Sequence, residues 1–192
     1  MKRFVPLRRR ILPVHGILPL LAAIGFATAA FAADPPGNPA GSPATGSLAT
    51  APAVPATTFI AKVAAGNQFE IDSSELALAR TRSEPVKAFA RRMVDDHTAA
   101  GTRFKQAISD SKLTAPPEKL DAAHQAVFDS LKGKDAASFD KAYIDAQYKA
   151  HVETVDLFTA YARDGDNARL KKFAAELLPT LQSHLEHVSK MR

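Results

Sequence analysis

Between Phe59 and Val188 the apolar residues return every three or four positions and almost nowhere alternate, which confines this chain to packed helices. Ile60, Val63, Ala64, Ile71 and Leu78 mark a first helix from about Thr57 to Arg82. Ser83 is a good N-cap and Pro85 suits a first turn, so a second helix follows on Val86, Phe89, Met93, His97, Phe104 and Ile108, to about Ser111. Pro116-Pro117 breaks the chain, and a short third helix spans about Glu118 to Leu131, stopped by Gly133. The fourth runs from about Ser138 to Arg163 and presents Ile144, Gln147, His151, Val155 and Phe158. After the turn Asp164–Asn167, the last helix carries Leu170, Phe173, Leu177, Leu181, His184 and Val188, with Pro179 inside it as an expected kink. Four long helices with short connections, and one short helix in the middle crossover, predict an all-α, antiparallel four-helix bundle.

The residues before the bundle read differently. Residues 1–32 hold Lys2, Arg3, Arg8, Arg9 and Arg10, no acid, and an apolar run from Ile17 to Phe26 ending in Ala29-Ala30-Phe31-Ala32-Ala33. That order reads as a secretory signal peptide cut after Ala32 or Ala33. The alternative, an uncleaved membrane anchor, is disfavoured because the run is shorter than the roughly 20 residues a span needs and Pro19 interrupts it. The expected product is then periplasmic with no membrane span after cleavage. Residues 33–56 are Pro, Ala, Gly, Ser and Thr with few large apolar side chains, a linker too poor in burial to order itself. The folded domain is then 57–192. The chain's net charge of +5 belongs to its first 32 residues: 25 basic residues less those five leaves 20, against 20 acidic. A nucleic-acid partner, which needs a basic face, loses its support. With no cysteine there is no disulfide framework and no thiolate ligand.

Three histidines, His97, His151 and His184, lie in the apolar stripes of three different helices. Imidazole nitrogens placed there must find polar partners or a metal. Glu70 shares a face with Val63, Asn67, Ser74 and Ala77 and looks inward. Counted from the turns, Glu70 and His97 meet at nearly one depth, whereas His151 and His184 are offset by about 7 Å. One carboxylate and three imidazoles can hold a single divalent transition-metal ion, with Asp96, Tyr143 and Gln147 as supporting partners. The same residues can instead form a closed hydrogen-bonded network without metal. A metal site of imidazoles would weaken below about pH 6 as they protonate.

The segments Asp95-Asp96-His97, Phe139-Asp140-x-x-Tyr143-x-x-x-Gln147-x-x-x-His151 and Leu178-Pro179-Thr180-Leu181-x-x-His184-Leu185 resemble the signature of a family of exported bacterial proteins. That family carries a ferritin-like domain of unknown function, and the resemblance extends from Phe59 to about Val188. It implies a ferritin-like bundle in the periplasm or envelope and no particular reaction. Ferritins themselves pair Glu with Glu-x-x-His on facing helices. Here Val94, Tyr148 and Leu181 stand three before the histidines, so a single ion fits better than a di-iron centre.

Two classes of function follow. One is an exported protein that binds a metal ion at the His/Glu cluster. The other is a non-catalytic envelope protein, protective or interacting, in which the cluster is structural. No nucleophile–base pair or phosphate-cradling loop argues for an enzyme, and no protein partner can be named.

Overall fold

The computed structural model describes residues 54–192. The expected signal peptide and all but the end of the linker lie outside them. Among the described residues there are five helices and no strand: α1 (Ala56–Arg80), α2 (Glu84–Asp110), α3 (Ala122–Lys132), α4 (Ala136–Asp164) and α5 (Ala168–Lys190). No helix among them is long and apolar enough to cross a membrane.

Side-chain oxygens fix most of the helix starts. Ser83 accepts from the Val86 N–H, Asp121 from His124, Asp135 from Ser138, and Asn167 from Arg169 and Leu170. Each satisfies a backbone donor that the first turn leaves free. The Asp121 and Asp135 caps place α3 and α4 differently from the periodicity, which starts them near Glu118 and Ser138. α1 ends at Arg80, two residues early, where Thr81 turns its hydroxyl to the Ser83 N–H at 3.0 Å. Arg80 then reaches across to the carbonyls at the end of α3, at 3.1 Å from Leu131 and 2.9 Å from Lys132, with its guanidinium over the Phe139 ring. α5 runs as one helix through Pro179.

α1 packs against α2 and α4, and α5 against α4 and α2. Contacts between Ser74 and Tyr143, Glu70 and His151, and Phe59 and Tyr161 run α1 and α4 in opposite directions. Those between Phe104 and Phe173, Asp96 and His184, and Phe89 and His187 do the same for α2 and α5. With two tight hairpins, neighbours among the four long helices are all antiparallel, so α2 and α4 point the same way. The 111–135 segment carrying α3 therefore travels the length of the bundle.

The core has two apolar ends. At one, Phe59 stacks on Tyr161 with centroids 3.8 Å apart, amid Phe104, Phe158, Phe173 and Leu177. At the other, Phe69, Phe89, Met93, Phe139, Tyr143 and Val188 close together. Val54 packs on the first cluster, so the last linker residues already belong to the bundle. Between the ends lies a polar layer.

Gly165, between α4 and α5, has no room for a side chain. A Cβ there would stand 2.6 Å from both the Tyr161 ring and its carbonyl oxygen. Gly165→Ala should push Tyr161 off Phe59 and cost about 1–3 kcal/mol, read as a lower urea midpoint at unchanged slope. An unchanged midpoint would show that this packing is not needed.

Candidate metal centre

The polar layer is built one residue per helix. α2 places His97 one turn after Met93, α4 places His151 one turn after Gln147, and α5 places His184 between Leu181 and Val188. All three are buried, at 5%, 1% and 1% exposure. Their ring centroids are 5.4–5.8 Å apart, and one nitrogen from each lies within 4.8 Å of the other two. The offset expected between His151 and His184 shrinks once the helix ends are known. His151 stands thirteen residues before Asp164 and His184 sixteen after Ala168, a difference of about 4.5 Å that two imidazole side chains span.

Hydrogen-bond partners fix which nitrogens carry protons. His151 Nδ1 lies 2.9 Å from the Gln147 carbonyl oxygen and donates to it. His184 Nε2 lies 2.7 Å from an Asp96 carboxylate oxygen and donates there, and Arg92 Nε holds that same carboxylate at 3.3 Å. His97 Nδ1 lies 3.2 Å from Asn67 Oδ1, an amide acceptor on α1. Each ring therefore has one committed N–H, and three lone pairs remain: His97 Nε2, His151 Nε2 and His184 Nδ1. His97 Nε2 has no hydrogen-bond partner. His151 Nε2 and His184 Nδ1 face each other at 3.4 Å with no proton left for either to donate. Two nitrogens bound at about 2.0–2.1 Å to one tetrahedral ion would stand about 3.3–3.4 Å apart.

Burial keeps these rings neutral. Loss of solvation depresses His97 well below the ordinary imidazole range, aided by the neighbouring rings. It pushes His151 down to about 4 and also lowers His184, against the pull of Asp96. Burial thus favours the neutral form of each ring, and His151 keeps it well below the pH 6 at which a solvated imidazole would protonate.

Glu70 is buried beside this group but does not share its centre. Its Oε1 is 3.6 Å from His151 Nδ1, the nitrogen turned away from His184. Neither carboxyl oxygen has a hydrogen-bond partner. Burial raises Glu70 to about 8; the nearby Gln147 side chain, whose amide donates to Ser73 Oγ at 3.0 Å, offsets only part of that. Tyr143 turns its hydroxyl to Ser74 at 2.8 Å, so it supports α1 and not an imidazole. Gln147 acts on His151 through its backbone carbonyl. Asp96 meets His184 directly.

Sequence reasoning missed Asn67 as the partner of His97. The signal was present: Asn67 is one turn before Glu70 on the same inward strip of α1. Gly101, one turn after His97, gives the amide its room, since a Cβ there would meet Asn67 Nδ2 at 3.0 Å.

The comparisons agree with a helical domain without naming a reaction. Residues 41–191 match the profile of a family described as "Domain of unknown function (DUF4142)". No curated protein matches the sequence. Among solved structures the chain is similar to "CopM in the Cu(II)-bound form", with a TM-score of 0.61 and 16% identity, over 72% of this chain and 96% of that one. At that identity the likeness shows the fold alone.

The opposed shifts give the metal-free protein a stability optimum. A Glu70 raised from 4.5 to about 8 binds a proton in the fold that the unfolded chain has released. Its contribution is complete below pH 4.5 and is lost as pH rises through 8. The depressed imidazoles act in reverse: their contribution is complete above 6.5 and is lost as pH falls toward the value of about 4 for His151. Urea midpoints should therefore peak at about pH 6.5 and fall on both sides, and Glu70→Gln should remove the alkaline fall. A midpoint flat from about pH 6.5 to 8.5 would mean that Glu70 holds no proton there.

Proposed function

Because this chain belongs to the DUF4142 family, whose description gives no reaction, we propose its function from the site itself: it binds one divalent transition-metal ion through His97 Nε2, His151 Nε2 and His184 Nδ1. The observation that carries this reading is the placement of the protons. Each N–H has an acceptor outside the triad, His151 Nε2 and His184 Nδ1 face each other as two lone pairs, and His97 Nε2 is buried beside them with no partner. Acceptors facing acceptors repel, and a cation between them turns that repulsion into ligation. Hydrogen bonding of the outer nitrogens to a carboxylate, a carbonyl or an amide is how proteins orient metal-bound imidazoles. Asp96, the Gln147 carbonyl and Asn67 take those parts, while Tyr143 and the Gln147 amide steady α1 against α4. Glu70 stands behind His151 as a buried carboxyl near the ligands.

An all-nitrogen set suits copper and zinc, and among divalent ions copper binds such donors most tightly. The similarly folded CopM was solved with Cu(II), which makes copper the first ion to try. We read the single long crossover, with α2 and α4 running the same way, as the ferritin-like connectivity. The basic, apolar and small-residue order of residues 1–33 supports export to the periplasm. The reading assigns binding and no reaction.

Protein purified without a histidine tag should take up one equivalent of Cu(II), measured by titration against a competing chelator. His151→Ala should weaken binding by about 100-fold or more, and Asp96→Ala by about 10- to 100-fold, because the second removes only the hold on His184. If wild type binds no Cu(II), Zn(II) or Co(II), the cluster is a hydrogen-bonded network. His151→Ala should then lower stability alone, by about 1–3 kcal/mol from unpaired partners.

A further inference from the structure

A path leads to this site through the α1–α4 seam. Inside the bundle a cavity of about 30 Å³ touches Asn67, Glu70 and His97, the side of the layer where the carboxyl and one imidazole nitrogen lack partners. That is room for about one water-sized particle. Outside, a cleft of about 230 Å³ is lined by Asp121, His124, Glu153 and Lys62. The two spaces share four lining residues: Lys62 and Gly66 from α1, Thr154 and Leu157 from α4. At Gly66 an added Cβ would meet nothing within 4 Å. A glycine inside a long helix costs helix stability, and here what its missing side chain leaves is open space.

We propose that the gap at Gly66 is the route by which a divalent cation enters the histidine site. This rests on the metal-binding reading above and adds the path. Asp121 and Glu153 at the mouth attract a cation against the single opposing Lys62. The gap then admits the ion with little of its hydration. Glu70, both of whose oxygens are free, is the first donor inside, and it passes the ion to the imidazoles. This gives a buried carboxyl that is set back from the three nitrogens a transfer role.

A blocked path differs from a damaged site in its kinetics. Narrowing a path slows capture and release together and leaves affinity unchanged, whereas a damaged site alters their ratio. The probe is Cu(II), mixed with the full chain and followed by quenching of tyrosine emission, with no tryptophan to interfere. Gly66→Phe should slow association and chelator-driven dissociation alike by about tenfold or more, with Kd within about threefold of wild type. Gly66→Ala fits the gap and should keep the wild-type rates. Thr154→Phe, from the facing helix, should repeat the slowing and decides the matter if Gly66→Phe fails to give a normal helical circular dichroism spectrum. Wild-type rates in folded Gly66→Phe and Thr154→Phe overturn the path while leaving metal binding intact, and so does slower association with unchanged dissociation. A wild type that binds no metal overturns the binding reading, and the path with it.

Discussion

Three imidazoles in the middle of a helical core impose a condition on everything around them. Each ring has two nitrogens, and a buried polar atom without a partner costs about as much as a good hydrogen bond provides. The bundle meets half of this demand with fixed acceptors. A backbone carbonyl of α4 takes the His151 proton, a carboxylate of α2 takes that of His184, and an amide of α1 takes that of His97. Helix register follows from these bonds as much as from apolar packing: moving α5 by one residue would turn His184 about 100° away from Asp96. The inner nitrogens are left to one another, and the site consists of that remainder.

The apolar ends hold the layer in place. The Phe59–Tyr161 stack and the Phe104–Phe173 pair close one end of the bundle, and Phe89, Phe139 and Tyr143 close the other. Close-packed rings on both sides resist the small rotations that would let three imidazoles drift apart. The exclusion of water by those same rings drives the imidazoles below their ordinary range and Glu70 above its own. One arrangement thus makes the site geometrically stiff and keeps it uncharged at neutral pH.

Much of this was legible in the sequence, and the gaps have physical causes. A 3.6-residue period records which face of a helix is buried, so the bundle, the short helix in the crossover and the inward histidines could all be read from spacing. Depth was harder. Residue counts from the turns put Glu70 level with His97 and so suggested a fourth ligand, but depth does not say on which side of His151 a carboxyl falls. The caps at Asp121 and Asp135 were passed over because a start signal next to apolar periodicity competes with other polar residues nearby. The Gln147 carbonyl could not be seen at all, since every residue has one. Asn67 could have been found, because an amide one turn from an inward glutamate, on a strip of small residues, is as much out of place as the glutamate.

The two carboxyls near the site differ in a way that bears on charge. Asp96 is about a third exposed and lies against Arg92, and its hydrogen bond to His184 lends that ring negative character. Glu70 is 3% exposed with no cation beside it, and its cheapest state is neutral. An uncharged pocket is stable when empty, but three neutral imidazoles do nothing to offset the double charge of a bound ion. On the metal reading the compensation comes one atom removed, from Asp96 through His184 on one side and from Glu70 beyond His151 on the other. A carboxyl that is neutral in the empty protein and able to ionise when a cation arrives lets the same core fold without metal and accept it afterwards. A permanently ionised group at Glu70 would make the empty state costly, and a leucine there would leave only Asp96 to offset the charge of the filled state.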